Sequence, residues 1–213
     1  MARSRVLLVF LALLSLVLVT TCNRLAAAGL RTMAAPDLLW VAGLCVPSLV
    51  ACALIYLGVR PERPFGAPIP ETRWPRVLRL AGTWLVVWLI ASTVAATVAG
   101  HWIRYASGAP AIACFVVVGP LQEEVLFRGA LFELAERGCP GRRAALPVLL
   151  TTVPFCLQHF QFHGYRADAS ALGQVAFTIP MGLVFGRLRS ETGSLWPGVV
   201  VHVLTNLPGA FGD

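Results

Sequence analysis

Seven apolar runs divide the chain, at about 5–20, 38–59, 80–103, 109–136, 143–161, 169–188 and 195–211. Each is near the roughly 20 residues that a bilayer-crossing helix needs. The pattern predicts an all-α, polytopic membrane bundle of about seven transmembrane helices. The first run follows a charged start, and Ala26-Ala27-Ala28 offers an A-x-A cleavage site. Residues 1–28 therefore read either as a signal peptide or as a first helix. The length of the run, and a site lying well beyond it, favour the helix. Both readings put residue 30 on the outer side. The connection at 60–78 carries Pro61, Pro64, Pro68, Pro70 and Pro75 and is the longest and stiffest. It divides the chain into residues 1–79, two helices and a cytoplasmic Pro-rich loop, and residues 80–213, the remaining bundle.

Composition agrees with a lipid setting. Hydrophobic residues make up 57% of the 213 and charged residues 13%, half the quarter or so typical of soluble domains. The 17 basic residues are all Arg and give a net charge of +7. They lie in the segments between apolar runs, as positive-inside topology places them, so no nucleic-acid partner is expected. With the N terminus inside, inner segments hold twelve Arg and outer loops four (Arg24, Arg31, Arg104 and Arg166), with Arg128 left at membrane depth. The bias predicts N-in, C-out. Trp40 and Trp102 fall near outer ends, and Trp74 and Trp196 near inner ends. The six cysteines form no C-x-x-C pair and read as small buried hydrophobes. Gly182 and Gly186 form a G-x-x-x-G on the sixth helix, a signature of close helix packing.

The chemistry concentrates at residues 120–137. Glu123, Glu124 and Arg128 stand in a run otherwise fit for hydrocarbon, where a charge costs at least about 2.5–3.5 kcal/mol. Glu124 and Arg128 are four apart on one helical face and can pair. Glu123, about 100° round the helix, is then the carboxylate left for another task. Three further polar residues lie in apolar runs: His159 on the fifth helix, and His202 and Asn206, four apart, on the seventh. A rise of about 1.5 Å per residue puts all four at compatible depth. A lone membrane His is often only a helix–helix hydrogen bond, and Phe155 is either a prop for the His159 ring or a core aromatic. His163 reads as interfacial, Glu133 and Glu136 as solvated charges, and His101 as far from the cluster. Two chemistries suit a Glu, two His and an Asn. A desolvated carboxylate can activate water with a His, while a second His and an amide hold the oxyanion of amide hydrolysis. Alternatively Glu123, His159 and His202 form a catalytic zinc set with an open position.

The ordered set Glu123-Glu124-x-x-x-Arg128, Phe155-x-x-x-His159 and His202-x-x-x-Asn206 resembles the CPBP family, that of CAAX prenyl endopeptidases and bacteriocin-processing or immunity (Abi) proteins. Residues 185–189 and 193–197 also resemble the family's run into its last motif, and the likeness spans about 80–212. It implies an intramembrane endopeptidase in which Glu123 and His159 activate water and His202 and Asn206 hold the oxyanion, with Glu124 and Arg128 supporting. No cofactor is certain on this basis; zinc is the alternative. Expected partners are a peptide or membrane-protein substrate and the surrounding lipids. The Arg-only, Ala/Leu-rich chain suggests a bacterial cytoplasmic (inner) membrane, crossed several times, and a small-peptide substrate rather than a prenylated one. A non-catalytic scaffold or bacteriocin self-immunity protein is the alternative function. A proton relay is a weaker one, since no inverted repeat is visible.

Overall fold

The computed structural model describes residues 37–59, 65–66, 68–100, 109–139 and 145–210. Among them six helical rods follow one another. They are α1 (Asp37–Val59), α2 (Trp74–Ala99, entered through a 3-10 turn at Glu71–Arg73), α3 (109–138), α4 (Ala145–Gln158), α5 (Ala169–Thr192) and α6 (Trp196–Asn206). α3 is composite. It is α-helical at Ala109–Ala113, Gly119–Glu124 and Phe132–Gly138, and π-helical at Cys114–Val118 and Val125–Leu131. α4 and α6 run out into 3-10 turns at His159–His163 and Leu207–Ala210. The described residues contain no strand, only an isolated bridge between Gly66 and Ser194, so the all-α expectation holds. The apolar run at 5–20, Trp40's side chain, Trp102 and His101 lie outside the described residues.

Some element bounds differ from the hydropathy pattern for physical reasons. α2 starts at Trp74 rather than near 80, because Pro75 occupies its first turn, where the missing N–H has no helical partner anyway. The charged Arg76 and Arg79 hide that start from a hydropathy reading. Two helices, Glu71–Val98 and Ala169–Thr192, are long and apolar enough to cross a membrane. α4 has 14 residues and α6 has 11. Continued by their 3-10 turns at about 2 Å per residue, these reach about 31 and 25 Å, against the roughly 30 Å hydrocarbon core. The described helices number six, and the first of the seven apolar runs lies outside them.

The packing explains the glycine pair on α5. A Cβ at Gly182 would lie 2.8 Å from Thr152 Cγ2, and one at Gly186 would lie 2.9 Å from Val148 Cγ1. Both glycines let α4 lie close against α5, as the spacing predicted. One core draws Tyr56, Trp84, Trp88, Phe127, Phe155 and Phe185 from five helices. Cys52 and Cys156 are buried thiols within it. Cys114 is disulfide-bonded, which corrects the reading of all six cysteines as plain hydrophobes.

Helix ends with Arg gather at one end of the bundle. Arg137, at the end of α3, donates to the Val59 carbonyl at the end of α1, 2.8 Å away. Arg73, before α2, donates to the Glu191 carbonyl near the end of α5. The Leu195 N–H, before α6, donates to the Phe65 carbonyl. Trp74 and Trp196 are both exposed at this end. The outer surface is more apolar than that of a water-soluble domain. All six helices expose large apolar side chains, among them Leu54, Val98, Val117, Val153, Ile179 and Val200. Glu124, Arg128, Thr151, His159, Thr178 and His202 are buried instead.

Candidate functional site

The middle of α3 presents the acidic pair. Its α-helical turn Gly119–Glu124 lies between the two π turns, a distortion that often marks functional sites. Glu124 is fully buried and Glu123 keeps 14% of its side chain exposed. Glu124 Oε1 accepts from Arg128 Nη1 at 3.0 Å. Arg128 Nη2 reaches across to the Gly182 carbonyl on α5, at 3.1 Å. The guanidinium is enclosed by rings, with Cζ 4.3 Å from the centroid of Phe155 and 5.4 Å from that of Phe185. Such faces attract a buried cation. The expected Glu124–Arg128 pair is therefore present and extends to three helices.

Glu124 does a second thing that its spacing from Arg128 does not reveal. His202 Nδ1, from α6, lies 3.2 Å from the same Oε1. A carboxylate only accepts, so Nδ1 carries the hydrogen and the ring orientation is set. Nε2 then faces Glu123, 3.7 Å from its Oε2. That distance is adjacency without a hydrogen bond. Gly198, one turn before His202, makes this approach possible: a Cβ there would stand 2.9 Å from Glu124 Oε2. Phe185 lies against the His202 ring, 4.8 Å between centroids.

His159 opens the 3-10 turn after α4 and is buried. Its Nδ1 lies 2.8 Å from the Phe155 carbonyl. A carbonyl accepts, so Nδ1 is the protonated nitrogen and Nε2 carries the lone pair when the ring is neutral. Phe155 packs edge-on to His159 at 4.9 Å and to His202 at 6.1 Å. It supports both imidazoles as well as Arg128, so it is at once a core aromatic and a prop.

Asn206 is half-buried at the end of α6, and its Nδ2 donates to the Phe115 carbonyl at 3.1 Å. The local sequence of α3 accounts for this. In the first π turn the Gly119 N–H bonds to the Cys114 carbonyl. The next residue, Pro120, has no N–H to give to Phe115. An amide nitrogen has two hydrogens, so Asn206 keeps a second donor.

The sequence-predicted residues thus fall into two linked groups. Glu123, Glu124, Arg128 and His202 stand together, with His159 joined to them through Phe155. Asn206 anchors α6 to α3 one turn beyond His202. His163 is half-buried and pairs with Gln174 on α5, 2.6 Å away. Glu133 is also less solvated than expected, being shared by Arg137 and Arg189, while Glu136 is exposed. Among the described residues no three His, Cys, Asp or Glu side chains group closely enough to hold one metal ion. Glu123, His159 and His202 do not form a three-ligand set in this arrangement.

Residues 105–208 match the family model described as type II CAAX prenyl endopeptidase Rce1-like, a family of membrane-embedded proteases. The match runs from the start of α3 through α6 and contains all the residues of the site. No curated protein and no solved structure matches the chain.

Proposed function

We propose, for a chain whose residues 105–208 form an Rce1-like type II CAAX prenyl endopeptidase domain, that the site hydrolyses peptide bonds inside the membrane with a water activated by Glu123. The observation that carries the reading is the division of labour between adjacent carboxylates. Glu124 is buried and occupied by Arg128 and His202, while Glu123 is partly open and beside His202 Nε2.

In this reading Glu123 takes one proton from water, and the other hydrogen stays on the water oxygen, donating a hydrogen bond to His159 Nε2. The water oxygen attacks the scissile carbonyl carbon. The tetrahedral oxyanion accepts from His202 Nε2 and from the second hydrogen of Asn206. For Nε2 to donate while Nδ1–H is held by Glu124, both ring nitrogens carry hydrogen in that step. Collapse of the intermediate breaks the C–N bond, and Glu123 passes its proton to the leaving amine. No step is routed through zinc, because the residues present do not assemble a ligand set for it.

The same reading sets the molecule in a bacterial cytoplasmic membrane, N-in and C-out, crossed several times. The end where Arg gathers would be cytoplasmic, as positive-inside topology requires. The substrate would be a membrane-associated protein or a small peptide.

The test is cleavage of a fluorogenic peptide panel by purified protein in detergent. Glu123→Ala, His159→Ala and His202→Ala are expected to lose activity by at least about 100-fold while still inserting into membranes. Phenanthroline is expected to leave the wild-type rate unchanged. Full activity in Glu123→Ala would overturn the reading. Loss of activity with chelator, restored by zinc, would replace its mechanism.

A further inference from the structure

We infer that the arginine-rich end of the bundle holds an anionic phospholipid, its acyl chain lying in an open groove between α2, α4 and α5 and its phosphate on Arg187 and Arg76. The inference rests on the membrane setting and is independent of the catalytic reading.

The groove has a volume of about 390 Å3 and is lined by Leu80 of α2, Val148 and Leu149 of α4, and Leu183, Val184 and Arg187 of α5. That is within the roughly 300–1,000 Å3 of small-ligand sites. Apart from Arg187 these lining side chains are all hydrocarbon. A peptide laid there would find no partners for its N–H and C=O groups, at a cost of several kcal/mol each. An acyl chain has no such groups.

Charge marks which lipid fits. Arg187 lies one turn beyond Leu183 and leads into a cluster centred on Glu191. Arg187 Nη2 and Arg76 Nη2 approach the same Glu191 Oε1, at 2.5 and 3.0 Å, and Arg73 donates to the Glu191 carbonyl. Two guanidinium groups therefore share one carboxylate while a third holds the same residue's backbone carbonyl, and Arg76 and Arg187 keep 56% and 43% of their side chains exposed. Glu71 and Arg79 are also exposed, in and just after the turn that opens α2. Arginine donors in a fixed fork suit a phosphate. Basic pockets between membrane helices are where anionic head groups bind. The catalytic residues lie on the other side of α5: Gly182 and Phe185 face Arg128 and His202, whereas Leu183 and Arg187 line the groove.

The experiment is native mass spectrometry of the full chain, purified in detergent and offered equimolar phosphatidylglycerol and phosphatidylcholine. Wild type is expected to retain phosphatidylglycerol preferentially. The double variant Arg76→Ala/Arg187→Ala is expected to lose that preference, by about fivefold per guanidinium removed. Leu149→Trp, at a half-exposed position, fills the groove with the cluster untouched and is expected to reduce retention of both lipids. Arg166→Ala, exposed beyond α4, serves as the control and is expected to change nothing. Equal retention of the two lipids by wild type would overturn the inference. So would wild-type retention by Leu149→Trp, whose result decides the matter if the arginine variant does not fold.

Discussion

Glu124 and Arg128 are both buried, and the neighbours of each make this tolerable. Glu124 is held by a guanidinium and an imidazole, and Arg128 by a carboxylate, a backbone carbonyl and two aromatic faces. Removing one partner from a buried ion pair leaves the other uncompensated, at about 3–5 kcal/mol. Arg128→Ala is therefore expected to lower stability by about that much, read as a fall in melting temperature in detergent. The double variant Glu124→Gln/Arg128→Met should be closer to wild type in stability than Arg128→Ala, yet inactive, because His202 keeps only a neutral amide acceptor in place of the carboxylate whose charge favours its doubly protonated ring. A double variant no more stable than the single one would contradict the pairing. The intrahelical part of this arrangement was legible in the sequence, because residues four apart on a helix must share a face. The link from Glu124 to His202, 78 positions away, was not. It depends on how α6 is rotated against α3, which no local spacing sets.

At the scale of elements, the site is shaped by departures from regular helix. The π turn at Cys114–Val118 and Pro120 together leave the Phe115 carbonyl to Asn206. A proline three residues before the acidic pair was a visible signal. It showed that α3 lacks a donor at that point, though not which side chain would replace it. Pro120→Ala restores an N–H and lets α3 compete for that carbonyl. The expected result is unchanged or higher melting temperature, with cleavage slowed about 10- to 100-fold as Asn206 loses its placement. Wild-type turnover in this variant would show that the Asn206 anchor does not matter. Gly198 is the other element-level feature that hydropathy missed. It follows Trp196-Pro197 and looks like an ordinary helix start. Its function is clear only once the Glu124 carboxylate is found where a Cβ would stand. By contrast, the contact of Gly182 and Gly186 with α4 followed from their spacing alone.

At the scale of the whole molecule, the polar residues of the site sit inside among core aromatics while the described helices turn large apolar side chains outward, as in a bundle whose solvent is lipid. Apolar run lengths made the six described helices legible, though not that α4 and α6 finish in 3-10 turns. Arg137, Glu191 and Phe65 hold helix ends together at one end of the bundle. Single cysteines test the orientation directly. Arg79→Cys should react with an impermeant thiol reagent only from the cytoplasmic side, and Arg166→Cys only from outside; the reverse pattern would invert the topology. The central claim is that Glu123 activates the water that cuts the substrate. Its most direct measurement compares wild type with Glu123→Gln, an isosteric change that removes only the base, on one peptide panel containing prenylated and unprenylated members. The account predicts peptide cleavage by wild type, loss of that cleavage in Glu123→Gln, and equal melting temperatures for the two. Cleavage at the wild-type rate by Glu123→Gln would contradict it.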